Sequence, residues 1–238
     1  MQNRWDEAEA SQWADGLEQC VYVSRLLGAD SALVLYGGGN TSVKTCEGAD
    51  EVLYVKGSGS DLAQVGPDDF TPVRLSPVQR LIDAADLTNE QLAQAVAHCV
   101  IANEAPRASI ETLLHAVIPH RFVLHTHADS ILAITNTTRG EHIATEIFGE
   151  LAPRVPFRES GFDLAKAAHA VFQAQARSRT IGLILLHHGV FSFGESARSA
   201  YDNMLELVGL AEQFLESQRA WHLASSAGDS APRSGPST

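Results

Sequence analysis

The feature that most restricts how this chain can fold is the run Arg121-Phe122-Val123-Leu124-His125-Thr126-His127-Ala128-Asp129. Its apolar lead-in reads as a strand over Phe122 to Thr126. Side chains alternate across a strand, so His125 and His127 share one face while Thr126 points to the other. Two imidazoles roughly 7 Å apart along one face can chelate a single ion. The competing explanation is two polar residues on the wet face of an edge strand, and the apolar lead-in argues against it. Just upstream, Ser109-Ile110-Glu111-Thr112-Leu113-Leu114-His115 sets a carboxylate, a proton-transfer group, on the preceding element.

A further histidine candidate lies in Leu185-Leu186-His187-His188-Gly189. Adjacent residues of an extended segment face opposite ways, so only one of the two can join His125 and His127. His188 is the better candidate, because the glycine after it permits a close approach or a sharp turn; two ordinary sheet histidines are an equal alternative for this pair alone. Three neutral imidazoles with one open position suit zinc or another borderline divalent ion, and neither calcium nor a closed structural site. Glu111 falls on a helix expected from Ser109 to Val117, where an isolated carboxylate is also explained by the helix dipole. His115, one turn later and behind two leucines, reads as structural. Ser109 is placed to cap that helix, whose first amides can hold an anion.

Two glycine-rich turns form a second constellation. Gly37-Gly38-Gly39-Asn40-Thr41-Ser42 and Lys56-Gly57-Ser58-Gly59-Ser60 each follow an apolar run and offer amides and hydroxyls suited to a phosphate or carboxylate. Neither matches a P-loop or a dinucleotide fingerprint, and each alone is also explained as a plain turn.

The remaining pattern alternates between helices and short strands. Trp5 to Leu27 reads as one amphipathic helix closed by Gly28. Strands are expected at Ala32 to Tyr36, Thr41 to Thr45, Val52 to Val55 and Phe70 to Leu75, with a hairpin turn at Glu47-Gly48-Ala49-Asp50. Helices follow at Pro77 to Ala85 and at Asn89 to Ala102, the latter capped by Thr88. Beyond the His-x-His strand come helices at Ser130 to Asn136 and Glu141 to Phe148, a strand at Arg154 to Phe157, and a helix at Asp163 to Ala176. Ile181 to Phe193 reads as strand, glycine turn, strand, and Ser196 to Leu223 as a long final helix. With no internal repeat and no linker, residues 1–224 are expected to form one domain. A Ser/Pro/Gly-rich tail at 225–238 is expected to be disordered.

Composition narrows the partners. A formal net charge of -12 with three lysines, Lys44, Lys56 and Lys166, argues against nucleic acid or an anionic membrane as partner. Cys20, Cys46 and Cys99 are odd in number and far apart, which argues against disulfides and a Cys-based zinc site and leaves three buried small hydrophobes as the expectation. No apolar stretch reaches bilayer length, and the first residues are acidic and polar rather than signal-like, so a cytoplasmic location is expected.

In their order, Gly39-Asn40-Thr41-Ser42, Lys56-Gly57-Ser58-Gly59, Ser109-Ile110-Glu111, His125-Thr126-His127 and His188-Gly189 resemble the class II aldolase/adducin family. The form here is most similar to the aldolase half of bifunctional aldolase/short-chain dehydrogenase proteins. The resemblance covers roughly residues 15 to 215. It implies a single three-layer α/β/α domain with a mixed, largely antiparallel sheet, commonly a homotetramer with active sites between subunits. By the same resemblance His125, His127 and His188 would bind Zn2+ or another divalent ion (Mn2+, Co2+ or Fe2+), and Glu111 would be the catalytic acid/base. Gly39, Asn40, Ser58, Gly59 and Ser109 would hold the phosphate of a small sugar substrate. The implied reaction is retro-aldol cleavage of a ketose, in which a bound cation neutralises an enediolate. Epimerase, dehydratase or decarboxylase chemistry on the same site, or a non-catalytic adducin-head-like module, are the alternatives. The fuculose-type aldolases have two successive serines where this chain has Ser109-Ile110, and no nicotinamide site is expected.

Overall fold

The computed structural model describes residues 1–102 and 104–220, so the expected tail at 225–238 and the last turn of the expected final helix lie outside the described residues. The chain runs α1 (Glu7–Ala10), α2 (Leu17–Gly28), β1 (Asn40–Glu47), β2 (Asp50–Lys56), β3 (Phe70–Arg74), α3 (Leu75–Arg80) and α4 (Asn89–Ala97). It continues through α5 (Thr112–Val117), β4 (Phe122–Thr126), α6 (Asp129–Thr135), α7 (Gly140–Phe148) and β5 (Arg154–Val155). It closes with α8 (Phe162–Gln175), β6 (Gly182–Leu185), β7 (Gly189–Gly194) and α9 (Ala197–Ser217).

The seven strands form one sheet in the order β3-β2-β1-β4-β7-β6-β5. Every neighbouring pair is antiparallel except β5 with β6, so the sheet is mixed and largely antiparallel. Strand alternation gives it two apolar faces, and each is covered by helices. On one face Val43, Phe122, Leu124 and Val190 pack with α2, α6, α7 and α9 through Val21, Ile131, Phe148 and Met204. On the other, Val55, Val123, Phe191 and Phe193 pack with α3, α4, α5 and α8 through Val78, Leu92, Leu114 and Ala165. The result is the three-layer α/β/α arrangement expected from the resemblance. Among the described residues, no helix is long and apolar enough to cross a membrane.

Local chemistry explains the boundaries that match. The β1–β2 hairpin pairs Glu47 with Asp50 across a two-residue Gly48-Ala49 turn. Thr88 and Gln91 form a reciprocal capping box at the start of α4.

Several boundaries differ from the sequence expectation, each for a physical reason. Trp5 to Leu27 is two helices, not one. The chain reverses before Gly16 (φ 79) so that Trp5 and Trp13 both pack on Tyr22, with ring centroids 5.1 and 6.0 Å away. Gly28 ends α2 with no left-handed cap; a Cβ there would lie 2.1 Å from the Ala63 amide, so the residue marks a close backbone crossing. Ala32 to Tyr36 is not a strand: the Asp30 carboxylate accepts from the Ala32 amide and its carbonyl from Leu33, and this local turn overrides the apolar run. Helix α3 stops at Arg80, followed by a 3-10 turn at Leu81–Asp83. Helix α4 stops at Ala97 because the next residues bond to the β3 edge, the Cys99 carbonyl accepting from Arg74 and the Ile101 amide donating to Pro72. Cys46 is exposed at the end of β1, unlike buried Cys20 and Cys99.

Candidate metal centre and cleft

The sheet fixes the His-x-His geometry before any ligand is considered. On β4, Phe122 and Leu124 face one core and Thr126 follows them, its hydroxyl donating to Met204 Sδ at 3.3 Å. His125 therefore shares the other face with Val123. It is fully buried and stacks on Phe191 of β7, with centroids 4.3 Å apart. His127 follows the strand end. His188 lies in the turn before β7, whereas His187, with a positive φ of 61, turns outward to Asn136.

Gly189 makes this convergence possible. Its φ of 157 is accompanied by a crowded neighbourhood: a Cβ would stand 2.3 Å from the Thr126 carbonyl and 3.2–3.3 Å from the rings of His127 and His125. One ligand nitrogen from each of His125, His127 and His188 then falls within 4.8 Å of the others, and His125 Nε2 and His127 Nε2 are 3.1 Å apart.

Three observations show that these residues fit a divalent cation. His125 Nδ1 faces the Val190 carbonyl at 3.1 Å; a carbonyl only accepts, so Nδ1 carries the proton and the Nε2 lone pair points at the cluster. Burial pushes the His125 imidazole well below its ordinary pKa, with His127 and His188 adding to the effect. Burial also lowers His127 and His188, against the pull of Glu111, so all three are neutral donors near pH 7. Finally, the Glu111 carboxylate is only 5% exposed, yet its Oε1 has no hydrogen-bond partner. An orphaned buried carboxylate oxygen beside a knot of imidazole nitrogens calls for a positive charge.

Glu111 is not on the helix expected from Ser109. It is the residue before α5, because the Ser109 carbonyl accepts from both the amide and the hydroxyl of Thr112 and closes a turn first. That turn drives the carboxylate into the cluster, with Oε1 3.3 Å from His188 Nε2 and Oε2 3.5 Å from His125 Nε2. Asn40 of β1, paired with His125 across the sheet, donates from Nδ2 to Glu111 Oε2 at 2.7 Å and to Ser109 Oγ at 3.3 Å. The Asn40 carbonyl oxygen in turn accepts from His115 Nε2, and His115 Nδ1 accepts from the Ser42 hydroxyl at 2.7 Å. A directional chain, Ser42 to His115 to Asn40 to Glu111, thus fixes the carboxylate. Sequence reasoning gave His115 no part in it. The two-residue spacing of Asn40 and Ser42, which puts both on one strand face, was the available signal.

The glycine turns line the same cleft, about 1090 Å³ in volume, together with Ser109, Glu111, His127 and His188. Gly39 has φ 68 and packs against the His125 carbonyl, where a Cβ would come within 2.8 Å. Gly59 has φ 91 in open space, and Ser58 is exposed with its amide donating to the Arg107 carbonyl at 2.9 Å. The structure therefore brings Gly39, Asn40, Ser58, Gly59 and Ser109 to one cleft, although the Asn40 side-chain amide is turned toward Glu111.

Comparison with known proteins agrees with this geometry. The family model of the class II aldolase and adducin N-terminal domain matches residues 18–215. The chain is 37% identical over 224 residues to the uncharacterized oxidoreductase YuxG of Bacillus subtilis, covering 92% of this chain but only 32% of that protein, so it spans about a third of the relative's length. It is 25% identical over 164 residues to the methylthioribulose-1-phosphate dehydratase of Picosynechococcus, covering 62% of this chain and 68% of the relative. Among solved structures, the N-terminal class II aldolase domain of a conserved Thermoplasma acidophilum protein superposes with a TM-score of 0.82 at 37% identity, covering 90% of this chain and 99% of that one. With its histidine cluster, fold and matched residues in agreement, the chain belongs to the class II aldolase/adducin family.

Proposed function

We propose that this chain is a divalent-metal-dependent aldolase that cleaves a ketose 1-phosphate by retro-aldol chemistry. The observation that carries the reading is the Glu111 carboxylate, buried and held by Asn40, against the His125, His127 and His188 nitrogens at the end of a cleft lined by glycine turns. His125, His127 and His188 would hold a divalent ion, which would supply Lewis-acid stabilisation of negative charge on substrate oxygen. Glu111 takes the proton from the hydroxyl on the carbon that becomes the aldehyde as the carbon–carbon bond breaks, and returns it to the carbon left next to the carbonyl. Asn40 keeps the carboxylate aimed at that carbon, and the Gly39, Ser58, Gly59 and Ser109 groups hold the phosphate. Residues 1–224 then act as one catalytic domain, and the resemblance supports assembly as a homotetramer.

A dehydratase acting on a similar sugar phosphate is the second reading, supported by the likeness to the Picosynechococcus enzyme. Both reactions begin beside a carbonyl and differ in the bond that breaks. Incubation of the metal-loaded protein with a panel of ketose 1-phosphates, followed by mass analysis, separates them. Formation of dihydroxyacetone phosphate plus an aldehyde supports the aldolase. Loss of water with the carbon skeleton intact supports the dehydratase and refutes carbon–carbon cleavage.

A further inference from the structure

The cleft extends well past the residues that the proposed reaction uses. At about 1090 Å³ it exceeds the roughly 300–1,000 Å³ of sites that enclose a whole drug-sized ligand, and its catalytic end is marked by the buried, unpartnered Oε1 of Glu111. Strand order places the rest. From the histidine strand β4 the sheet runs to β1, which begins at Asn40, then to β2, which leads into the Gly57-Ser58-Gly59 turn, and then to β3. The outer edge of β3 holds the chain that leaves α4: the Arg74 amide donates to the Cys99 carbonyl, the Ile101 amide donates to the Pro72 carbonyl, and Val73 bridges to Val100. At about 4.8 Å per strand, Val100 lies roughly 19 Å across the sheet from β4. The arm of the cleft toward α4 is therefore on the far side of the glycine turn from the histidines. Its wall is apolar. Ala93 and Ala97, one turn apart on α4, line it with Val100 just beyond the helix, while Leu92 and Val96 of the neighbouring stripe are buried in the core. Pro106 packs on Gly57, where a Cβ would come within 2.8 Å of its ring. Ile110, between Ser109 and Glu111, lines the cleft, is 48% exposed and offers a bound anion no donor.

We infer that this arm receives an apolar group esterified to the substrate's phosphate, so that the ketose cleaved is a 1-phosphodiester rather than a phosphate monoester. The inference rests on the proposed function and narrows its substrate class. A ketose bound at the histidines with its 1-phosphate at the glycine turns ends there; only a group carried on the other side of the phosphate continues into the arm. Charge points the same way. A diester carries a single negative charge where a monoester carries nearly two at pH 7, and the smaller charge suits an anion pocket flanked by Ile110 in a chain whose net charge is -12. Burial of the ester group against Ala93, Ala97, Val100 and Pro106 contributes binding in proportion to the apolar area covered, a contribution that a monoester cannot make.

The test compares binding of dimethyl phosphate, methyl phenyl phosphate and phenyl phosphate to the metal-loaded protein, alongside metal content and turnover of ketose 1-phosphates and their phenyl diesters. The two diesters carry the same charge and differ only in the apolar group. Methyl phenyl phosphate should bind at least tenfold more tightly than dimethyl phosphate, and at least as tightly as phenyl phosphate. Ala97 is exposed on α4, so Ala97→Trp fills the arm from its wall without disturbing the core; it should bring the two diesters within about threefold of each other, with metal content and dimethyl phosphate affinity unchanged. Ala93→Phe, one turn away, fills the same arm and should do likewise if the tryptophan variant does not fold, thermal unfolding being recorded for both. Equal affinity for the two diesters, a preference that survives both substitutions, or phenyl phosphate binding tenfold more tightly than methyl phenyl phosphate overturns the inference. If the preference depends on the arm but neither ketose 1-phosphates nor their diesters are cleaved, the arm's role stands and the aldolase reading falls. If ketose 1-phosphates are cleaved with kcat/KM unchanged in Ala97→Trp and the phenyl group adds no affinity, the reverse holds.

Discussion

His115 is the place to perturb the site without touching a metal ligand or the carboxylate. It is fully buried between the Ser42 hydroxyl and the Asn40 carbonyl oxygen and lies edge-on to Phe191, with ring centroids 5.2 Å apart. Burial, followed by the charges of His125 and Lys44, pushes its pKa well below the ordinary value, so it folds neutral. In the unfolded chain the same imidazole titrates near 6.5. Below that pH the unfolded state binds a proton that the native state refuses, so stability is present above about 6.5 and is lost as the pH falls. At pH 5.5 the loss is about 1.4 kcal/mol for each such histidine, and His115 and His125 together account for about 2.8 kcal/mol. Urea unfolding of metal-free protein at pH 7.5 and 5.5 reads this directly. His115→Gln retains an amide donor and acceptor for Asn40 and Ser42, costs about 1–3 kcal/mol at pH 7.5, and should lose about 1.4 kcal/mol less than wild type between the two pH values. In the metal-loaded protein the same variant should lower kcat while leaving metal content intact, because a flexible glutamine fixes Asn40, and through it Glu111, less firmly than the packed imidazole. Identical pH dependence in wild type and variant would refute the argument that His115 is a neutral, buried link in the chain to Glu111.

Three further perturbations test other links. Glu111→Gln should keep the metal and reduce kcat by about 10²–10⁴, the range for a lost general acid/base, measured as turnover per bound ion. Gly189→Ala should cost several kcal/mol of unfolding free energy and loosen metal binding, since its Cβ would meet the Thr126 carbonyl at 2.3 Å; thermal unfolding and a metal titration follow both. Lys44 donates to the His115 and His120 carbonyls, and burial lowers its pKa to about 7. Its folded value lies below its unfolded value, so its contribution to stability should rise with pH between about 7 and 10.4; Lys44→Met should flatten that rise in urea unfolding across the same window.

The strands around the site were legible because each is a short run of apolar or β-branched residues bounded by turn residues. Phe122 to Thr126 is an apolar run of strand length, and the shared face of His125 and His127 followed from strand geometry. The β1–β2 hairpin was equally plain, since the Glu47-Gly48-Ala49-Asp50 turn separates the alternating Thr41 to Thr45 from the apolar Val52 to Val55. What the sequence concealed was decided by distant partners. Tyr22 draws Trp5 and Trp13 over itself and breaks the first helix, a tertiary preference that overrides a continuous amphipathic pattern. The edge of β3 captures the chain after Ala97 for the same reason. At the site, Ser109 gave no sign that it would close a turn ahead of α5 and push Glu111 off the helix into the histidines. His115 behind two leucines looked like filler, because the Asn40 it serves lies 75 residues away.

The central claim is that His125, His127 and His188 hold a divalent ion on which turnover depends. Metal content per subunit, measured for wild type and for a His125→Ala/His127→Ala variant with cleavage of ketose 1-phosphates assayed on the same samples, tests it most directly. The account predicts about one ion per subunit in the wild type, loss of both ion and cleavage in the double variant, and loss of cleavage on chelation that is restored by adding zinc or a similar divalent ion. A wild-type protein that takes up no ion after reconstitution, or a double variant that keeps its activity, would contradict it.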